Sequence, residues 1–484
     1  MTKKFYITTA IPYVNARPHI GHALEFVQAD VIARYHRLLG DNVLLLSGGD
    51  ENAVKNVQAA EKAGIPVQKF IDANTQLFRD LAEKLNVRFD VFQKGCSKQH
   101  YQSSQKLWKL CEASGDIYKK SYEGLYCVGC ETFYTKDELD QNGECFEHPG
   151  KKLENVSEEN YFFRLSKYQR QLIDLISHDT LKIIPEFRKN EMLSFLKQPL
   201  RDISISRTNE RAKNWGVPVP DDPTQRIYVW FDALNIYQSG IGFGWDDKTY
   251  NRWWPADVHV IGKGIARFHA IYWPAFLLSA KLSLPKSLFV HGYLTVDGKK
   301  MSKTVGNVID PFDLITKYEV DTLRYYLLRE IPTTDDGDFS KRRLKELADA
   351  DIANKLGDLV SRIKPFWPDG LTINQISFKE AAQKEFIQTM NEFRFNDALA
   401  FVWEKIKKAQ KYISEKEPWK LSDTPLFEVV NEANRQIIII AALLQPFLPS
   451  MSKTIIEGFS PWSKINPEIH TGDPITQGLL NTRK

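Results

Sequence analysis

Long apolar runs are missing from this 484-residue chain: the longest, Ile437 to Leu444, is less than half of the roughly 20 residues that a membrane-crossing helix needs. Membrane insertion is therefore not expected. An excess of one charge is missing too. Sixty-five Lys and Arg face 61 Asp and Glu for a formal +4, so contact with nucleic acid would have to come from local patches. Cysteine is scarce: five in so long a chain make no disulfide framework, which fits a reducing, cytoplasmic compartment. Only Met1-Thr2-Lys3-Lys4 stand before the strand-like Phe5-Tyr6-Ile7-Thr8-Thr9, so no targeting leader is expected. Repeats and low-complexity tracts are absent as well. What is present, 43% hydrophobic and 26% charged residues, suits two to four ordinary globular domains.

The first strand-like run is followed by a turn region with Pro12, Asn15 and Pro18. Next comes a helical stripe of Leu24, Val27, Val31, Tyr35 and Leu38, and then a second strand, Val43 to Ser47. Strand, helix and strand at this spacing predict a right-handed crossover in a parallel sheet, with ligands bound where strands run into the following loops. Residues 118–225 read as an irregular insertion, rich in aromatic and charged residues, and 1–117 as the first half of a split catalytic domain. Strand-like Ile227 to Phe231, Val258 to Gly262 and Ser287 to Val290 then resume the sheet in a second half, 226–334. After about Asp335 the strand signal disappears. Stripes at Ile352, Leu356, Leu359 and Ile363, at Phe395 to Ile413 and at Val429 to Leu444 predict an all-α bundle in 335–484, after a linker.

Three local clusters carry chemistry. Pro18-His19-Ile20-Gly21-His22 lies where a strand hands over to a helix, and a helix N-terminus suits phosphate oxygens. Gly21 would let a flat adenosine lie close while the imidazoles meet a triphosphate; a solvated helix start is the plainer reading. Gly298-Lys299-Lys300-Met301-Ser302-Lys303-Thr304 is a basic loop whose lysines suit phosphate, or else a solvated turn. Cys127-Val128-Gly129-Cys130 and, fourteen residues on, Cys145-Phe146-Glu147-His148 supply three thiolates and an imidazole. They make a closed tetrahedral set for one structural Zn²⁺. Cys96 and Cys111 fit no site.

His19-Ile20-Gly21-His22 and Lys300-Met301-Ser302-Lys303-Thr304 together resemble the two signatures of class I aminoacyl-tRNA synthetases, with Thr304 in place of a serine. The resemblance to the methionyl branch extends over nearly the whole chain, and the type with a single zinc knuckle matches best. It implies an α/β fold with a Rossmann-like parallel sheet, split by the zinc-knuckle insertion and followed by an α-helical anticodon-binding bundle. It implies activation of L-methionine with ATP to methionyl-adenylate and pyrophosphate, with Mg²⁺ accompanying the ATP. Transfer to the 3'-terminal ribose of tRNA(Met) follows. His19 and His22 would hold phosphates beside Gly21, and Lys303, with Lys300, Met301 and Ser302 in the same loop, would close over the transition state. Ile11, Tyr13, Trp230, Ala233, Tyr237, Ile265 and His269 would line the side-chain pocket, and Asp50 would hold the ammonium group. Aromatic walls suit a thioether. Asp50 could equally cap the next helix.

By the same resemblance Asn354, Arg362 and Trp419 would read the anticodon, with Trp419 stacking on a splayed base. The chain ends soon after the bundle, and a monomer is expected. Asn52, Ala53, Gly264, Leu234 and Asp358 depart from the usual family residues, and no role is carried over to 52 or 264. Two rival readings remain. One is a cysteine-specific relative, disfavoured because its zinc needs an open position in the catalytic fold. The other is a silent tRNA-binding descendant, disfavoured by the intact His19, His22, Lys300 and Lys303. At about 110 residues the insertion is also too small for an editing domain, so leucine must be rejected by pocket shape, about 1–3 kcal/mol per methylene-sized difference.

Overall fold

Phe5 to Thr9 bury almost completely, and they form the strand Lys4–Thr9 in the interior of a six-stranded sheet. The computed structural model describes residues 3–127, 132–134, 139–145, 150, 152–301, 306–367 and 376–459. Across the sheet the strands run Val91–Lys94, Asn42–Gly49, Lys4–Thr9, Val258–Gly262, Ser287–His291 and Lys182–Ile184. Every neighbouring pair is parallel. In register, Ile7 lies between Leu45 and Val258. The chain winds outward from Lys4–Thr9 in one direction and from Val258–Gly262 in the other. The crevice for a ligand therefore opens between the C-terminal ends of these two strands.

Burial on both faces explains the sheet's legibility, because continuous apolar runs such as Val43-Leu44-Leu45-Leu46 mark a parallel strand. Three expectations need correction. Ile227 to Phe231 is not a strand: the strand Asp222–Ile227 ends there, and Val229–Leu234 turns into a short helix that buries Val229, Phe231 and Ala233 together. β-Branched and aromatic residues carry a strand-like signature wherever burial is complete. The insertion is not irregular either. It holds an antiparallel sheet ordered Thr132–Tyr134, Ile117–Cys127, Glu154–Phe163 and Ile203–Ser204, and it lends Lys182–Ile184 to the edge of the central sheet. Nor does strand structure stop at Asp335, since Gly337–Phe339 pairs in parallel with Leu294–Val296. Three residues are too few to show a period.

Beyond that strand the described residues are helical: Lys341–Leu347, a π-helical stretch Ala348–Gly357, Asp358–Ile363, Phe395–Lys416, Asp423–Leu444 and Pro449–Phe459 among them. The stripe from Phe395 to Ile413 is buried as its spacing predicts. One apolar cluster runs without a break from Phe5, Ile7 and Val260 through Leu327 to Leu443 and Phe447, so sheet and helices share a core. No described helix is long and apolar enough to cross a membrane.

Candidate active site

His19 ends the turn after the first strand and is the N-cap of the helix Ile20–Leu38. Its Nδ1 accepts the Gly21 amide (3.1 Å), and its own amide donates to Nδ1 of His22 (3.1 Å). A backbone N–H can only donate, so both Nδ1 atoms are bare and each neutral ring carries its proton on Nε2. Burial presses the His19 pKa from 6.5 down to about 4 and holds His22 well below its usual value, with the neighbouring His19 adding to the effect. The rings lie 4.0 Å apart, and Phe78 stands edge-on to His22 at 5.0 Å. The pair is thus two neighbouring N–H donors at a positive helix end, not two cations.

Met301 of the second signature and the segment at Ile309 and Asp310 come to the same place. The Ile20 amide donates to the Ile309 carbonyl (3.1 Å), Arg17 reaches Asp310 (3.4 Å), and Asp310 caps the helix Pro311–Tyr318. A Cβ at Gly21 would lie 2.9 Å from the His19 ring, so the capping turn itself needs the glycine, and 3.7 Å, an ordinary contact, from the methyl of Met301 in the second segment. Met301 is half-buried, at the end of the hairpin formed by Leu294–Val296 and Lys299–Lys300. The side chain of Lys300, and Ser302 and Lys303 altogether, lie outside the described residues.

Next to this corner lies an aromatic pocket. Tyr13 bridges in parallel to Asp50, whose amide donates to the Pro12 carbonyl (2.9 Å). Asp50 is buried, and the N-cap position of the helix Val54–Ala63 is held by Ala53, which has no polar side chain to cap with. Tyr13 meets Trp230 edge-on (6.4 Å), and Trp230 stacks flat on Phe268 at 3.8 Å. Ile11, Trp230 and Ile265 pack against the apolar cluster that contains Tyr237. Ala233 is buried on the same short helix as Trp230. His269 occupies a π-helical turn, Phe268–Tyr272, a distortion that often marks a site. Its Nδ1 donates to the Ile265 carbonyl (2.9 Å), which leaves Nε2 to accept the Tyr237 hydroxyl (2.7 Å). Burial brings its pKa down to about 4, so the acceptor stays bare.

Several residues here escaped the sequence reading. Phe268 lay inside a segment already singled out, and only the stacking shows its part. Glu25 accepts the Ala10 amide (2.9 Å) and meets His291 (3.0 Å), tying the ends of two strands to the first helix. Asp232 is buried and receives Asn52 (2.7 Å), Ser104 (2.6 Å) and His100 (2.8 Å). Asn52 is thereby a brace between the Asp50 loop and the Trp230 helix, and Ala53 packs with Tyr228 and Val229. No sequence spacing announces such a network, because its members come from three separate segments.

The remaining predicted residues lie elsewhere. Cys127 and Cys145 are both buried, while Cys130 and His148 fall outside the described residues. Cys111 is buried in the core and Cys96 is half-buried. Asn354, Arg362 and Trp419 are all exposed, and Trp419 follows Ser414, which Arg362 touches (3.3 Å), by five residues. Arg362 is also paired with Asp358 (2.9 Å).

The family described as tRNA synthetases class I (M) matches residues 5–364. A methionine–tRNA ligase of Thermotoga maritima is 41% identical over 476 residues, 94% of this chain and 75% of that one. One of Brucella suis biovar 1 is 41% identical over 478 residues, 94% of this chain and 91% of its own. The structure of Mycobacterium tuberculosis methionyl-tRNA synthetase in complex with methionyl-adenylate is similar with a TM-score of 0.88 at 37% identity, covering 94% of both chains.

Proposed function

The chain belongs to the class I tRNA synthetases of the methionine branch, and from that premise we propose that it is a methionine–tRNA ligase. It joins L-methionine to tRNA(Met) in two steps. A methionine carboxylate oxygen attacks the α-phosphorus of ATP and pyrophosphate leaves; a hydroxyl of the tRNA 3'-terminal ribose then attacks the acyl carbon and AMP leaves. The observation that carries the reading is the meeting of Ile20 with Ile309 and of Gly21 with Met301, segments nearly 300 residues apart, at the C-terminal edge of a parallel sheet.

Such chemistry needs positioning and charge stabilisation more than covalent help. His19 and His22 offer two neutral Nε2–H donors to phosphate oxygens, and Gly21 keeps space for the nucleotide. Lys300 and Lys303, flanking Met301 and Ser302, bring the positive charge that the pentavalent centre requires. Mg²⁺ accompanies the ATP. Ile11, Tyr13, Trp230, Ala233, Tyr237, Ile265 and His269 enclose the methionine side chain, and sulfur against aromatic edges is favourable. The buried Asp50 faces the ammonium group as its carboxylate counter-charge. Cys127, Cys130, Cys145 and His148 would hold one Zn²⁺ that stiffens the insertion; Cys127, at the end of the strand Ile117–Cys127, and Cys145, beyond Thr132–Tyr134, are both buried. Asn354, Arg362 and Trp419, all exposed on the helical part, read the anticodon of a tRNA bound by a single chain.

Methionine-dependent exchange of labelled pyrophosphate into ATP, run with each of the twenty amino acids, tests the reading. Exchange with methionine alone is the expected result, and exchange with cysteine alone or with none would overturn it.

A further inference from the structure

Gly264 lies two residues beyond the strand Val258–Gly262, and a Cβ placed there would coincide with the Tyr293 hydroxyl. Tyr293 lies two residues beyond the neighbouring strand Ser287–His291, so its phenol reaches across strand ends toward the crevice, into room that Gly264 leaves. Its backbone is held on both sides: the amide donates to Asp336 (2.8 Å) and the carbonyl accepts the Gly337 amide (2.9 Å). Lys263, itself paired with Asp336 (2.6 Å), lies 4.8 Å from the ring centroid. The side chain is only half-buried. Beside it a Cβ at Gly262 would lie 3.5 Å from the ring of His291, which meets Glu25, which in turn holds the amide of Ala10 next to the pocket residue Ile11. The phenol thus belongs to the row of strand ends that frames the crevice.

We propose that the Tyr293 hydroxyl binds a sugar hydroxyl of the nucleotide. The inference rests on the ligase reading and proceeds by chemical class. An adenylate of methionine offers a thioether, a phosphate, a base and a sugar. The apolar pocket takes the thioether, the imidazoles and lysines take the phosphate, and Gly21, with no side chain, lets the base lie close. A neutral group that both donates and accepts matches the remaining class, a sugar hydroxyl. Gly264 is small because that phenol needs the room.

The test is methionine-dependent pyrophosphate exchange with ATP, 2'-deoxy-ATP and 3'-deoxy-ATP, for the unaltered protein and for Tyr293→Phe. Loss of one neutral hydrogen bond should raise KM for ATP about three- to tenfold while KM for methionine stays put. With the deoxynucleotide that lacks the contacted hydroxyl, the same substitution should change KM less than about twofold, because the partner is already gone. Gly264→Ala, which drives the phenol aside, should reproduce the ATP defect, and the double variant should be no worse than Gly264→Ala. Equal losses with all three nucleotides, or a defect in methionine KM alone, would overturn the inference and leave the ligase reading standing. Absence of exchange in the unaltered protein would remove both.

Discussion

At the scale of single residues, the two histidines of the first signature are legible as a motif, but their protonation is not. It is set by backbone amides that only the folded turn brings to their Nδ1 atoms. Asparagine reproduces Nδ1 as an N-cap acceptor and has nothing at the place of Nε2–H. His19→Asn should therefore keep the thermal midpoint within a few degrees and lower the exchange rate by about two powers of ten, as loss of an oxyanion donor does. A matching loss of stability would assign His19 to structure alone. His269 carries a second expectation. Its folded pKa of about 4 lies below the 6.5 of an unfolded histidine, so the unfolded chain takes up the proton first. Stability is unaffected above 6.5 and is lost as pH falls from 6.5 toward 4. His269→Gln cannot take that proton, so its urea midpoint should fall less steeply across this window than the parent's; parallel curves would refute the assignment.

At the scale of elements, legibility followed period and length. The helix Phe395–Lys416 is plain in its stripe because one face packs on the core over six turns, and the central strands are plain because both faces bury apolar runs. The short helix at Val229–Leu234 is opaque for the opposite reason: burial all round erases the period that separates helix from strand. The strands at Lys182–Ile184 and Gly337–Phe339 are recruited by neighbours far along the chain and carry no signal of their own. On the helical part Arg362 shares its charge with Asp358, an exposed pair that adds about 0–1 kcal/mol to stability. Asp358→Asn should leave the fold unchanged and free the guanidinium for RNA. We expect KM for tRNA to drop about two- to fivefold with pyrophosphate exchange unaltered. Trp419→Ala should act the other way, weakening tRNA by about 1–3 kcal/mol per stacked base, again without touching exchange. A change in exchange for either variant would place this corner in adenylate formation instead.

At the scale of the molecule, the catalytic sheet and the helices beyond it behave as one packed body, and a single buried side chain shows how. Arg324 is fully buried on the helix Val320–Arg329. It pairs with Asp30 of the first helix (2.8 Å) and donates to Leu85 (3.1 Å), Pro446 (3.1 Å) and Phe447 (2.8 Å). One guanidinium thus joins the helix that begins at His19 to the turn before the last described helix. Nothing in the sequence marks it, since a lone Arg among Leu323, Tyr325 and Tyr326 has the look of a solvated face. Only the exit carbonyls of two distant segments explain why a charge stays inside. Arg324→Met fills the volume but leaves three carbonyls unpaired and Asp30 with only Arg34 and the Arg88 amide, so about 3–5 kcal/mol of stability should be lost. Removing the carboxylate as well, in Asp30→Asn with Arg324→Met, should cost less than the sum of the two single losses, because no buried charge is then stranded. Below the unfolding range we expect Arg324→Met to retain most pyrophosphate exchange, whose groups lie at the sheet edge. It should lose more of tRNA charging, which needs that edge and the helical part held in one frame. Urea titration followed by the two assays decides it: additive losses in the cycle, or equal losses in exchange and charging, would show that Arg324 is only a filler of space.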